Sequence, residues 1–195
     1  WGLDVARFGG DNSALCIRQG NTVLEIISFQ SMDLMQLCGA IKNRYDDSTA
    51  IEQPQEILVD VIGLGSGVVD RLAEQNLPVR GVNVAEAPST KKNYLNLRAE
   101  LWFAIKDWLA QRDCRLPNND ELASELAAPQ YKYTSSGKIK IESKDEMRKR
   151  GIKSPDKADA LALTMASSAA SFGGSQAFMG YNFKKPLKSR IFRVG

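Results

Sequence analysis

Three aspartates stand where a carboxylate is costly: Asp4 in Gly2-Leu3-Asp4-Val5-Ala6, Asp60 in Ile57-Leu58-Val59-Asp60-Val61, and Asp159 in Ser154-Pro155-Asp156-Lys157-Ala158-Asp159-Ala160-Leu161. The first two interrupt apolar, β-branched runs that read as buried strands, and the third opens an apolar helix. A charge in such surroundings must be neutralised, and a divalent cation shared among the three would do so. The chain contains no histidine. That excludes Ser-His-Asp and Cys-His catalysis, histidine-ligated zinc or iron, and the usual general base at neutral pH. Carboxylate, lysine or a hard metal is left for the chemistry. Cys16, Cys38 and Cys114 form no CxxC pair, so they give no zinc signature. They fit a reducing compartment and read as core fillers.

The net charge of +3 does not describe a uniformly basic nucleic-acid coat, but its distribution is uneven. Between positions 138 and 153 the seven cations Lys138, Lys140, Lys144, Arg148, Lys149, Arg150 and Lys153 stand against three acids, and no acid follows Asp159. A solvated helix and hairpin surface accounts for such a run as well as function does. Its place beside the third aspartate favours contact with phosphate. No secretory or membrane segment is visible. The longest apolar stretch near the C-terminus, 158–172, is broken by Thr164, Ser167, Ser168 and Ser171 and is too short to span a bilayer. The 195 residues, 43% apolar and 25% charged, suit one globular domain over residues 1–172. A basic, aperiodic tail at 173–195 reads as flexible or docked on a partner.

The elements that must position the aspartates follow from periodicity and turn chemistry. Strands are expected over 3–6, 14–18 and 22–29, joined by turns at Gly9-Gly10-Asp11-Asn12 and Gly20-Asn21. A helix capped at Ser31-Met32-Asp33 runs to about Tyr45. A fourth strand, 56–61, is apolar enough to be buried on both sides. The turn Gly63-Leu64-Gly65-Ser66-Gly67 leads into a helix over 68–75, and a fifth strand covers 78–84. A long helix, 94–111, carries Leu97, Leu101, Ile105, Trp108 and Leu109 on one apolar stripe, beside Trp102 and Phe103, that reads as core. A short helix over 119–126 precedes a hairpin of 131–134 and 138–142. Ser143 then caps a basic helix ending near Gly151, and Pro155 takes the first position of the last helix. The fold class is α/β: a mixed five-stranded sheet, three antiparallel strands then two parallel, flanked by helices, with an added β-hairpin.

If the first and fourth strands are neighbours, their backbones lie about 5 Å apart, and Asp4 and Asp60 can share a ligand. Asp156 and Asp159 are three apart and lie on one helix face with Leu163. Such a cluster suits phosphodiester hydrolysis by two hard ions, Mg²⁺ or Mn²⁺, with Asp4 bridging, Asp60 and Asp159 completing the shells, and Asp156 ligating directly or through water. Blander readings stay open: Asp4 and Asp60 as carboxylates satisfied by backbone N–H groups, Asp156 as a helix-dipole acid, Asp11 as a turn residue. Gly63, Gly65 and Gly67 could cradle a phosphate, but they lack the P-loop lysine.

Gly2-Leu3-Asp4-Val5-Ala6-Arg7-Phe8-Gly9, Val59-Asp60-Val61-Ile62-Gly63-Leu64-Gly65 and Ser154-Pro155-Asp156-Lys157-Ala158-Asp159-Ala160-Leu161, with Asn96-Leu97-Arg98-Ala99-Glu100-Leu101-Trp102, together resemble the nuclease domain of tailed-bacteriophage terminase large subunits. The resemblance covers residues 1 to about 172. It implies an RNase H-like fold and a metal-dependent endonuclease that cuts concatemeric double-stranded DNA during packaging, in the cytoplasm of the infected bacterial host. The family's three acidic motifs map to Asp4, Asp60 and Asp159, and Asp156 falls at a variable accessory position where some relatives carry histidine. The implied partners are DNA, the packaging ATPase domain of the same full-length polypeptide, the small terminase subunit and the portal or procapsid. No GxxxxGK[ST] occurs in the chain, and its start at Trp1, inside a strand-like run, reads as that of an excised domain.

Rival readings share parts of this pattern. An actin-like ATPase also opens on an aspartate hairpin but needs two domains and an adenosine site. A Holliday-junction resolvase or transposase-type integrase shares fold and metal chemistry. A packaging module that docks without catalysis would keep the aspartates as remnants.

Overall fold

The computed structural model describes residues 1–6, 12–90 and 92–166. The Gly9-Gly10-Asp11 part of the first expected turn, the end of the last expected helix and the 173–195 tail lie outside them. The chain order is β1 (Gly2–Asp4), β2 (Ser13–Gln19), β3 (Thr22–Phe29), α1 (Leu34–Asp46), β4 (Ile57–Asp60), α2 (Gly65–Glu74), β5 (Val79–Val82), α3 (Leu97–Ala110), α4 (Asp120–Ala127), β6 (Tyr131–Tyr133), β7 (Ile139–Ile141), α5 (Lys144–Lys149) and α6 (Asp156–Leu163), closed by a 3₁₀ turn at Thr164–Ala166. The five-stranded sheet has the order β3-β2-β1-β4-β5, with β6 and β7 forming a separate hairpin. β1 is antiparallel to β2 and parallel to β4, and β4 is parallel to β5. This is the mixed sheet expected from the element order, with Leu58 and Val59 buried on opposite sides of β4.

Strand alternation divides the core into two layers. Leu3, Leu15, Ile17, Ile57 and Val59 point to one side of the sheet and pack with Leu37 and Ile41 of α1 and Val68 and Leu72 of α2. Ala14 and Cys16 point to the other side, toward Trp102 and Ile105 of α3 and Ala158 and Leu161 of α6. The parity of β1 and β4 therefore assigns Asp4 and Asp60 to the α6 side, one residue out of phase with the apolar set. Cys16 and Cys38 are buried and Cys114 is half-buried, all three as free thiols.

Several boundaries differ from expectation for local reasons. α2 begins at Gly65 rather than Val68, because that glycine packs on the backbone of β4: a Cβ there would lie 1.7 Å from the Asp60 carbonyl oxygen. α3 starts at Leu97, not Tyr94; the Asn96 side chain accepts from the Ala99 N–H, and Tyr94 instead bridges to Ile139 of the hairpin. Pro155 is the N-cap of α6 rather than its first helical residue, with φ −87° and ψ 59°. α5 is stopped at Lys149 with Gly151 at φ 75° close behind. Asp33 and Ser143 each form a full capping box, with Gln36 and Glu146.

Candidate functional site

β1 and β4 place the first two aspartates. Gly2 pairs with Leu58 and Leu3 with Val59, and the same register carried one residue on sets Asp4 beside Asp60. α6 brings the third. Every residue of α6 is buried, and it crosses β1 so closely that a Cβ on Gly2 would stand 2.1 Å from the Ala160 carbonyl oxygen. Only glycine allows that approach, and the approach is what carries Asp159 to Asp4. Asp4, Asp60 and Asp159 line one open cleft of ≈ 320 Å³, together with Arg98, Lys140 and Lys144. Asp156 does not line it.

Lys144, from the first turn of α5, holds the centre. Its Nζ lies 2.8 Å from Asp4 Oδ2, 3.2 Å from Asp156 Oδ1 and 3.5 Å from Asp159 Oδ2. Asp159 is further gripped by Arg98, whose Nη2 donates at 3.0 and 3.2 Å to its two oxygens, and by the Trp102 indole N–H at 2.8 Å. The Arg98 guanidinium is fixed in turn by the Glu142 carbonyl at 2.6 Å and by stacking over Trp102. Asp156 accepts from the Ser154 hydroxyl and from the Asn12 N–H. Asp60 accepts from the Ile62 N–H at 3.0 Å, and among the described residues it forms no ion pair.

The charges around the cluster do not balance: the four carboxylates of Asp4, Asp60, Asp156 and Asp159 meet the two cations Lys144 and Arg98. Burial, against the pull of Lys144, pushes Asp4 up to about 7, with Asp159 and Asp156 adding to the rise. Burial also acts on Asp159, but Arg98, Lys144 and the Trp102 N–H outweigh it and hold that group below the usual carboxylate range. Burial alone would lower Lys144; Asp4, Asp159 and Asp156 raise it above the ordinary lysine value instead. Asp60 is raised by burial, with only the Ile62 N–H and distant cations opposing. Ionised Asp4 and Asp60 are thus undercompensated by the cations present, and a further cation would relieve them. Among the described residues no three acids converge closely enough to hold an ion as they stand; the ammonium of Lys144 lies between them.

No protein-family model and no curated protein matches the chain. Solved structures do. The nuclease domain of the large terminase subunit of bacterial virus Sf6 superposes with a TM-score of 0.72 at 23% identity, over 85% of this chain and 86% of that one. A lysine-to-alanine variant of it, solved with manganese and β-thujaplicinol, gives 0.73 at 22% identity over the same shares. The large terminase nuclease of thermophilic phage G20c, solved with magnesium, gives 0.62 at 16% identity, over 85% of this chain and 79% of that one. The chain has the fold of the large terminase nuclease domains.

On this terminase-type sheet the basic residues fall into two groups. Lys144 is drawn into the carboxylate cluster, while Arg148 pairs with Asp145, Arg150 with Glu142 and Lys140 with Glu146. Lys138 is half-buried beside the hairpin turn, and Lys149 and Lys153 are exposed. Sequence reasoning missed Arg98 and Trp102 as partners of Asp159. A cation between Leu97 and Leu101, on a stripe otherwise read as core, was the available signal. It also missed Glu125 of α4, whose carboxylate accepts from the Ala158 N–H at 2.9 Å and is pushed up to about 7 by burial, Asp156 and Glu121. No described helix is long and apolar enough to cross a membrane.

Proposed function

We propose that the chain is a metal-dependent endodeoxyribonuclease of the terminase type, cutting double-stranded viral DNA during genome packaging in the cytoplasm of the infected cell. The observation that carries the proposal is the meeting of Asp4, Asp60 and Asp159 in one cleft, on a fold shared with terminase nuclease domains of which some were solved with manganese, magnesium, cobalt or calcium. The donor set fits hard ions. All three groups are oxygen ligands, no histidine is available, and the cluster is short of positive charge.

Asp4, Asp60 and Asp159 would hold Mg²⁺ or Mn²⁺, two ions in this reading, with Asp156 acting from behind through Lys144. Bound there, such ions activate water and stabilise the leaving oxygen of a phosphodiester. The chain's own groups prepare the site. Arg98 and Trp102 keep Asp159 ionised and aimed into the cleft. Lys144 neutralises Asp4 and Asp159, and where a metal ion took its place among them its ammonium would be free to turn toward a phosphate oxygen. Lys138, Lys149, Lys153 and the ion-paired Lys140, Arg148 and Arg150 would track the DNA backbone without reading bases. The ATPase domain of the full-length polypeptide, the small terminase subunit and the portal or procapsid are the partners this reading implies, with the 173–195 tail as a docking segment.

The test is Mn²⁺-dependent nicking of a supercoiled plasmid. Asp4→Asn should lower the rate on the order of 10³-fold, the equivalent of several kcal/mol of transition-state stabilisation. Full activity in that variant would remove the assignment. Preference for four-way junctions over linear duplex would move the protein to the resolvases, ATP hydrolysis would revive the actin-like reading, and no cleavage by the parent chain would favour a docking module.

A further inference from the structure

α6 carries Asp156 and Asp159 in its first turn yet lacks the cap its position demands. The first N–H groups of a helix have no partner within it, and the N-cap here is Pro155, which supplies no side-chain hydrogen bond. The Asp159 N–H reaches the Pro155 carbonyl at 2.8 Å, leaving those of Asp156, Lys157 and Ala158 to be satisfied from outside. α4 does this. Its Glu125 carboxylate accepts from the Ala158 N–H at 2.9 Å. One turn earlier on the same helix face, Glu121 takes the Lys157 ammonium. The two glutamates are four residues apart, so both reach α6 from a single face of α4.

We infer that Glu125 is a positioning residue: it supplies from α4 the cap that α6 lacks, and so fixes the turn from which Asp159 reaches the cleft shared with Asp4 and Asp60. Its placement argues against a role as mere surface charge. The carboxylate is directed at the backbone between two acids, beside Asp156, where a third negative group is repelled and the N–H groups of Ala158 and Lys157 hold it. Asp159 is also held by Arg98 and Trp102, which act on its side chain, whereas Glu125 acts on the backbone beneath it. The inference rests on the nuclease reading for its functional meaning, but its geometry does not.

The experiment compares Glu125→Ala, Glu125→Gln and Glu121→Ala at pH 8. Glutamine keeps a carbonyl acceptor for the Ala158 N–H, and Glu121→Ala leaves that bond in place. Hydrogen exchange of the Ala158 amide in metal-free protein should speed up about fivefold or more in Glu125→Ala and stay near the parent rate in the other two. Mn²⁺ half-saturation, followed by calorimetry, should rise about fivefold in Glu125→Ala alone, with the KM for DNA unmoved. Exchange and Mn²⁺ binding both within twofold of the parent in Glu125→Ala would overturn the inference. So would equal losses in Glu125→Ala and Glu125→Gln, because charge rather than the hydrogen bond would then matter. If the parent bound no Mn²⁺ at all, the nuclease reading would fall, and the Ala158 exchange rate would still decide whether Glu125 holds the turn.

Discussion

The two sides of the sheet are built from the same strands and serve opposite ends. On the α1/α2 side, Leu3, Leu15, Ile57 and Val59 interlock with Leu37, Ile41 and Leu72, all almost fully buried. On the α6 side the next residues of the same strands are Gly2, Asp4 and Asp60, and the helix that covers them brings Asp156 and Asp159 and the glutamate-held first turn. One side gains stability from each contact. The other spends part of that gain to keep carboxylates close together and away from bulk water. The α6 side still has an apolar layer of its own in Ala14, Cys16, Trp102, Ile105 and Leu161, and the acids stand beside it.

Leu3→Ala and Asp4→Asn test this division most strongly, one residue apart. Leu3 is fully buried, so its truncation should cost about 2–5 kcal/mol in denaturant unfolding. Asp4→Asn should leave stability unchanged or raised, since it removes a buried charge. A stability loss from Asp4→Asn comparable with that from Leu3→Ala would break the comparison.

Gly2→Ala probes the seam between the sides. The added Cβ meets the Ala160 carbonyl oxygen, backbone that cannot swing aside as a side chain can. Overpacking of this kind costs about 1–3 kcal/mol. Here it should also lift α6 from β1 and weaken Mn²⁺ binding, which a calorimetric titration beside the melting curve would show. A melting shift without change in Mn²⁺ affinity would mean that the approach of α6 serves packing alone.

The two sides were also unequally legible in the sequence. The apolar side follows from alternation and helical stripes, and with it the mixed sheet and the strand settings of Asp4 and Asp60, while the adjacency of β1 and β4 was legible only as a condition. Asp159 was visible as a charge opening an apolar helix. What surrounds these acids was not. Arg98 lies on a stripe whose neighbours Leu97 and Leu101 are apolar, Trp102 is a core residue by every periodic measure, and Lys144 sits in a run of cations that reads as a DNA-facing surface. Each becomes a partner of an aspartate only because α3, α5 and α6 converge across separations such as the 61 residues between Arg98 and Asp159. Periodicity reports which face a side chain is on and says nothing of what stands opposite.

The pH dependence of stability separates the sides again. Asp4 and Glu125 are both pushed up to about 7, above the ordinary values of 3.8 and 4.5 given by the same groups in water. The folded state therefore binds more protons than the unfolded chain between those limits, and stability should fall as pH rises through that window. The decline in metal-free protein should approach 1.4 kcal/mol per pH unit for each group at its steepest. Lys144, Asp156 and Asp159 face Asp4, while Glu121, Asp156 and the N–H groups of Lys157 and Ala158 face Glu125; none of these removes the sign. Asp4→Asn should flatten the parent curve between pH 5 and about 7, and an unchanged slope would show that Asp4 stays ionised throughout.

The smallest effect on stability is expected at the rim of the active side, where the largest effect on DNA affinity should appear. Lys140, Arg148 and Arg150 pair with Glu146, Asp145 and Glu142 at or near the surface, and such pairs contribute about 0–1 kcal/mol each. Reversing Lys138, Lys140, Arg148 and Lys149 together should thus shift unfolding little. Binding to a linear duplex should weaken for every sequence alike, and the slope of affinity against salt should flatten as phosphate contacts are lost. An affinity and salt slope equal to the parent's would place the DNA path elsewhere on the α6 side. A preserved slope with weakened binding would instead mean that the hairpin shapes the cleft without touching phosphate.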